Sequence, residues 1–156
     1  PADGELAVRF SALRGEVMEV LGGVTLINDC YNANPVSMRA ALDNLARSSG
    51  RRIAVLGGMA ELGDQSTDFH HEIAQHAARV GVDMLIPVGD LAGAYGDDYS
   101  GAIEHVVSPS AAAHVVRRIA EPGDTVLVKG SRSVGLEKVA EVLMNASHPL
   151  GRERTD

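Results

Sequence analysis

Two short stretches hold the residues best suited to chemistry. The first is Asn28-Asp29-Cys30-Tyr31-Asn32-Ala33-Asn34-Pro35, set between the apolar run Val24-Thr25-Leu26-Ile27 and an amphipathic run that starts at Val36. The second is Lys129-Gly130-Ser131-Arg132, which follows the apolar run ending at Val128. A plain strand-to-helix link needs only about two to six residues. An acid at the carboxyl end of a strand is placed to hydrogen-bond ribose hydroxyls. Asp29, with Tyr31 and Asn32 beside it, therefore reads either as part of a nucleotide site or as turn chemistry. Asn34-Pro35 has a simpler explanation, because Asn is a favoured helix N-cap and Pro is favoured at the first helical position. Lys129, Ser131 and Arg132 bring two cations and a hydroxyl to a helix start, which suits a carboxylate or phosphate. The competing account makes Ser131 or Ser133 a helix cap and leaves Arg132 in solvent.

Two other stretches come close to known motifs and miss. Gly58 and Gly63 have the glycine spacing of a P-loop, but Asp64-Gln65 stands where Lys-Ser/Thr is required. Without that Lys and hydroxyl there is neither a phosphate grip nor a Mg²⁺ ligand. The spacing is not that of a dinucleotide fingerprint either, so residues 57–65 read as a strand-to-helix loop. His71 and His76 lie five apart. A zinc pair on one helical face needs four, and the extra residue turns the second imidazole roughly 140° away. No metal site is expected. His70 and His71, near a helix start, read as surface residues or as donors behind a site.

The elements that must position these residues alternate. Hydrophobic patterning predicts strands over 6–10, 16–21, 24–29, 51–56, 83–88, 104–107 and 125–129. It predicts helices over 35–47, 66–80, 91–95, 109–120 and 133–144. Strands and helices joined by short glycine-bearing links imply an α/β, Rossmann-like three-layer domain with a mostly parallel sheet. Ligands of such sheets bind beyond the carboxyl ends of the strands. That rule selects four loops: 28–34, 57–65, 89–90 and 130–132. Residues 93–101 read as a loop and not as a linker.

Composition narrows the partners. The chain has 156 residues, 45% hydrophobic and 22% charged, with a net charge of −7. A polynucleotide-binding surface should be basic, and base stacking needs aromatic platforms, so no nucleic-acid partner is expected from an acidic chain without Trp. A single cysteine, Cys30, excludes a disulfide framework and leans the reading toward the cytoplasm. No apolar run is long enough to span a membrane. The chain begins Pro-Ala-Asp without Met, which is expected of a piece of a longer protein.

The combination of NDCYNANPVSMRAAL, VLGGMAELG, a His in the next helix and VLVKGSRS resembles the C-terminal domain of the Mur ligase family, over about residues 14–143. Within that family it is most similar to the type that joins D-alanyl-D-alanine to UDP-MurNAc-tripeptide. The resemblance implies a Rossmann-like fold and a single domain over residues 1–156. That domain would be the third of three, without the N-terminal UDP-sugar domain and the central ATPase domain. It also implies an ATP- and Mg²⁺-dependent reaction: the tripeptide carboxylate is phosphorylated, and the dipeptide amine attacks the acyl phosphate. In that scheme Asp29, Asn32, Asn34 and Arg14 lie on the nucleotide. Lys129, Ser131 and Arg132 lie toward D-alanyl-D-alanine, and His70 and Tyr31 support them. No residue of this chain alone is catalytic, and no cofactor is held tightly by it. The sequence departs from the family pattern at Gly58, where an acid is common, and at Gly15, which follows Arg14 where many members have Gly before the Arg. Two alternatives stay open: a stand-alone Rossmann-like nucleotide-binding regulatory module, or the C-terminal domain of another Mur ligase or a folylpolyglutamate synthase.

Overall fold

The computed structural model describes residues 16–146. The predicted strand over 6–10 and Arg14 lie outside them. Six strands form one sheet: β1 (Glu16–Val20), β2 (Val24–Asp29), β3 (Arg52–Gly57), β4 (Met84–Val88), β5 (Ala102–Ile103) and β6 (Thr125–Lys129). Their spatial order is β1-β2-β6-β3-β4-β5. Only β1 runs antiparallel, paired with β2 through a tight turn. All other pairings are parallel. The four described α-helices are α1 (Pro35–Leu45), α2 (Ser66–Val80), α3 (Pro109–Ile119) and α4 (Glu137–Asn145).

Side-chain alternation along the strands produces two cores. Ile53, Val55, Val126 and Val128 face α3 and α4 with Val116, Val139 and Leu143. The intervening Ala54, Leu56 and Leu127 face α1 and α2 with Met38, Leu42, Leu45 and Ile73. Because successive strand residues point to opposite faces, one continuous apolar run in β3 or β6 serves both layers. This is the three-layer α/β domain expected from the alternating pattern.

Local chemistry sets the helix starts. Asn34 caps α1: its side chain accepts from Ser37 N–H, Ser37 Oγ accepts in return from Asn34 N–H, and Pro35 takes the first position. Ser108 caps α3 ahead of Pro109 by accepting from Ala111 N–H, without a reciprocal bond.

The helix expected over 91–95 is a 3-10 helix over Leu91–Asp98, which also takes up most of the loop expected over 93–101. Three further predicted elements are corrected. The helix expected over 35–47 ends at Leu45. The helix expected over 133–144 is broken: residues Arg132–Val134 form a 3-10 turn, Gly135 sits at φ 77°, and α4 starts only at Glu137. A residue in the left-handed region cannot continue a right-handed helix. The strand expected over 104–107 begins two residues earlier, at Ala102, and after Ile103 only a single bridge, Val88 to Val106, remains. Pro87 on β4 accepts from Val106 N–H but has no N–H to return, which interrupts the ladder.

Candidate functional site

The sheet order makes β2 and β6 neighbours, and their register sets Asp29 directly beside Lys129 at the carboxyl end. Lys129 Nζ lies 3.1 Å from Asp29 Oδ2 and donates to the Asn32 carbonyl at 2.8 Å. The lysine side chain is only 3% exposed and the Asp29 side chain 17%. The structure sets Lys129 apart from Ser131 and Arg132, with which the sequence groups it as a carboxylate or phosphate site. Its ammonium is buried and committed to the Asp29 loop, because β6 lies beside β2 in the sheet.

The rest of that loop is arranged by its own polar groups. Asn28 Oδ1 accepts from the Cys30 thiol at 3.0 Å, and burial, with help from the Glu137 charge, pushes the thiol pKa up to about 11. Cys30 is a packed thiol and not a nucleophile. Asn32 Oδ1 accepts from Ala33 N–H at 2.8 Å. Asn34 Oδ1 is occupied by the helix cap, so its side-chain oxygen serves α1. Tyr31 is exposed, and the Arg132 guanidinium lies over its ring at 5.3 Å from the centroid.

The second half of the site is built where β3 and β6 end side by side. A Cβ on Gly130 would come within 2.8 Å of Gly57 Cα and 2.7 Å of Leu136 Cδ1, so only glycine permits this approach. Beyond it the two loops are tied together. Ser131 N–H donates to the Gly58 carbonyl at 3.1 Å, and Ala60 N–H donates to Ser131 Oγ at 2.6 Å. Ser131 is thus a tie between loops and makes no side-chain cap bond to the turn that follows.

His70 fastens the same loop from below. Met59 N–H donates to His70 Nε2 at 2.9 Å, and His70 Nδ1 lies 2.6 Å from the Ser66 carbonyl. An N–H can only donate and a carbonyl can only accept. The ring must therefore be neutral, with its proton on Nδ1. Burial lowers its pKa below the ordinary histidine value, in agreement. The expectation of a surface residue or a donor is corrected: His70 is fully buried against Tyr95, and toward the site loop it is an acceptor. His71 and His76 pair with separate carboxylates, Asp97 and Asp43. Among the described residues no group of three His, Cys, Asp or Glu is placed to hold a metal ion.

These ties shape two adjoining clefts. One, of about 250 Å³, is polar and lined by Asn32, Ala33, Ala60, Glu61, Ser131 and Arg132. The other, of about 270 Å³, is more apolar, with Gly58, Leu91, Val107, Pro109 and Val134 in its walls. Ala60, Ser131 and Ser133 border both. Sequence reading missed the Met59 and Ala60 amides and Glu61. Glu61 holds φ 62° without being glycine, and nothing in its residue type signals that conformation. Arg14 falls outside the described residues.

Comparison with known proteins agrees with this geometry. A family described as "Mur ligase, glutamate ligase domain" matches residues 13–132. The UDP-N-acetylmuramoyl-tripeptide--D-alanyl-D-alanine ligase of Mycobacterium leprae is 39% identical over 168 residues, covering 90% of this chain and 32% of that protein. The Escherichia coli ligase of the same name is 38% identical over 120 residues, covering 76% of this chain and 26% of that protein. The structure of MurF ligase from Thermotoga maritima in complex with ADP superposes with a TM-score of 0.75 at 30% identity, covering 84% of this chain and 30% of that one. A structure of MurF from Acinetobacter baumannii gives 0.76 at 28% identity, over 87% and 31%. The chain spans about a third of the length of the curated relatives it matches.

Proposed function

The chain belongs to the Mur ligase family, and we propose that it works as the C-terminal domain of an ATP-dependent ligase that joins D-alanyl-D-alanine to UDP-MurNAc-tripeptide in peptidoglycan precursor synthesis. Its partners are then a UDP-sugar domain and a P-loop ATPase domain of the same ligase, in the cytoplasm. One observation carries this reading. The carboxyl end of the sheet carries a carboxylate, Asp29, tied through Lys129 to Asn32 in the wall of the polar cleft, and such acids at strand ends suit ribose hydroxyls. The cognate ligase from Thermotoga maritima was solved with ADP.

In this mechanism the chain positions and stabilises and does not itself react. Asp29 accepts from the ribose of ATP, with Asn32 and Asn34 shaping the same loop, and Arg14 belongs to that side through the family resemblance. Ser131 and the Arg132 guanidinium border the polar cleft, where an incoming dipeptide carboxylate is held by a cation and by donors at the loop. Tyr31 keeps Arg132 in place through the ring contact. Mg²⁺ supplies charge neutralisation between the phosphates when bound. By the family resemblance its protein ligands would belong to the central domain. Closing this domain over the other two excludes water from the acyl phosphate and orients the amine, the contributions that dominate such transfers.

The test is phosphate release from ATP with Mg²⁺, UDP-MurNAc-tripeptide and D-alanyl-D-alanine. The chain alone should melt cooperatively and release no phosphate. Activity should appear when the two other domains are joined to it. Turnover by the chain alone would overturn the reading.

A further inference from the structure

We propose that Lys129 is a positioning residue for the nucleotide side of the site, acting through Asp29 and the Asn32 carbonyl and touching neither substrate. The inference rests on the assignment of Asp29 to ribose. Lys129 ends the strand that leads into Ser131 and Arg132, so its place in the chain puts it with the dipeptide contacts. Its place in space does not. The ammonium is 3.1 Å from Asp29 Oδ2 and 2.8 Å from the Asn32 carbonyl. With the side chain 3% exposed, a ligand in either cleft cannot reach it without displacing the loop above, and neither cleft has it in its wall.

Two consequences follow from that geometry. First, the lysine holds Asp29 Oδ2, so the acid arrives at the ribose already oriented. A carboxylate already held at one oxygen loses less freedom on binding than a free aspartate would. Second, the same ammonium holds the backbone of the loop at Asn32, whose side chain and neighbour Ala33 line the polar cleft. One buried cation therefore fixes both the acid and the loop that frames it. Three donors on a compact ammonium suit this role, since the two oxygens lie in different directions and a planar guanidinium presents its donors as a fork.

The experiment is a double-mutant cycle in the full-length ligase containing this domain, using Asp29→Asn, Lys129→Met and the double variant, with KM for ATP and for D-alanyl-D-alanine read separately. Asp29→Asn keeps an acceptor for Lys129 and removes the charge from the ribose contact, so KM for ATP should rise about 10-fold. Lys129→Met should also raise KM for ATP, by about 5- to 10-fold, and leave that for the dipeptide within about twofold. The double variant should lie within about twofold of Asp29→Asn alone, because the lysine acts through a group already altered. Lys129→Gln, which keeps one donor for the Asn32 carbonyl, should recover part of the loss. A purely structural lysine would not separate the two substrates in this way. Additive effects on KM for ATP, or a dipeptide KM that rises as much as that of ATP, would overturn the proposal. If Asp29→Asn leaves KM for ATP unchanged, it is the ribose assignment that fails, a result independent of the lysine variants. If Lys129→Met does not melt cooperatively, Lys129→Gln carries the same comparison. Failure of both to fold would make the lysine a folding residue and overturn the proposal.

Discussion

Strand β6 has an ion pair at each end, and the two are built in opposite senses. At the amino end Asp124, just before the strand, meets Arg51. The acid is the buried member, with 7% of its side chain exposed against 37% for the arginine. Asp124 Oδ2 accepts from Arg51 Nη2 at 2.7 Å, from Arg51 Nε at 3.1 Å and from Glu121 N–H at 2.9 Å. The carboxylate closes the turn of residues 121–124 and locks it to β3. At the carboxyl end the base is the more buried member, 3% exposed against 17% for the acid. Among the described residues, Asp29 has Lys129 as its one ion-pair partner. An acid buried under several donors serves the fold, whereas the proposed ribose role of Asp29 needs an acid steadied by a buried lysine and still reachable from outside. Two acid–base pairs at opposite ends of one strand thus differ in which partner is the more buried.

The largest expected effect breaks the comparison at its amino end. Asp124→Ala leaves the Glu121 amide and the arginine donors without their acceptor. It should destabilise the chain by about 3 kcal/mol, within the range for hydrogen bonds to buried charged groups. For a domain of this size that corresponds to a melting point lower by roughly 6–12 °C. Asp29→Asn keeps an acceptor for Lys129 but leaves the buried ammonium without its counter-charge, so it should cost about 1–2 kcal/mol, less than Asp124→Ala. Its signature belongs in the ATP kinetics of the full ligase. Equal loss of stability in both variants, with unchanged ATP kinetics, would mean that both ends of β6 are structural and that the contrast in exposure has no functional meaning.

How much of this was legible in the sequence depends on whether the signal was local. Helix α2 and strand β6 match their predicted bounds because each is bounded by its own punctuation: Gly81 after the helix, Pro122-Gly123 before the strand and Gly130 after it. Asn34-Pro35 was legible as a cap for the same reason. The pairing of Lys129 with Asp29 was not, because it depends on β6 inserting between β2 and β3. No property of either hydrophobic run states which strands become neighbours. His70 was misplaced for a related reason. Its role rests on a backbone amide, that of Met59, and backbone donors carry no residue code. The break at Gly135 was visible as a glycine, but the periodic Leu136, Val139, Ala140 and Leu143 concealed it by continuing the helical pattern.

A smaller effect sharpens the comparison within the carboxyl end itself. Arg132 is exposed and stacks on Tyr31, while Lys129 is buried below them. If Arg132 is the cation that meets the dipeptide carboxylate, Arg132→Ala should raise KM for D-alanyl-D-alanine by about 3- to 10-fold and change that for ATP by less than about twofold. Tyr31→Ala should give a weaker change in the same direction, since an exposed cation–π contact is worth only about 0.5–1 kcal/mol. Steady-state kinetics with each substrate varied in turn separates the cases. A rise in KM for ATP alone after Arg132→Ala would move the arginine to the nucleotide side with Asp29.

The smallest effect asks whether the carboxyl end also contains a fastening as structural as Asp124, and His70 is the group that answers. In the folded chain it is neutral, with Nε2 accepting from Met59 N–H, and burial holds its pKa below the ordinary value of 6.5. The groups around it are the Tyr95 ring, Ser66 and the neighbouring His71, whose charge when protonated opposes a second proton. The unfolded chain takes up a proton near the ordinary value, and the folded chain does so only at lower pH. Over that interval the unfolded state binds more protons, so stability falls as pH falls. The contribution is fully present above about pH 6.5, is lost progressively down to the folded pKa, and is constant below it. One proton sets an upper limit of about 1.4 kcal/mol per pH unit on the slope. His70→Gln offers an amide oxygen to Met59 N–H and does not titrate, so its stability should lack this component while sharing the background from all other groups. Urea unfolding of both chains at pH 7.5, 6.5 and 5.5 gives the difference directly. Parallel curves would show that the imidazole is not held neutral by the Met59 amide. A His70→Gln curve that is flatter below pH 6.5, with KM values for both substrates unchanged at pH 7.5, would place His70 with Asp124 as a fastening of the fold, and leave Asp29 and Arg132 as the groups the carboxyl end presents.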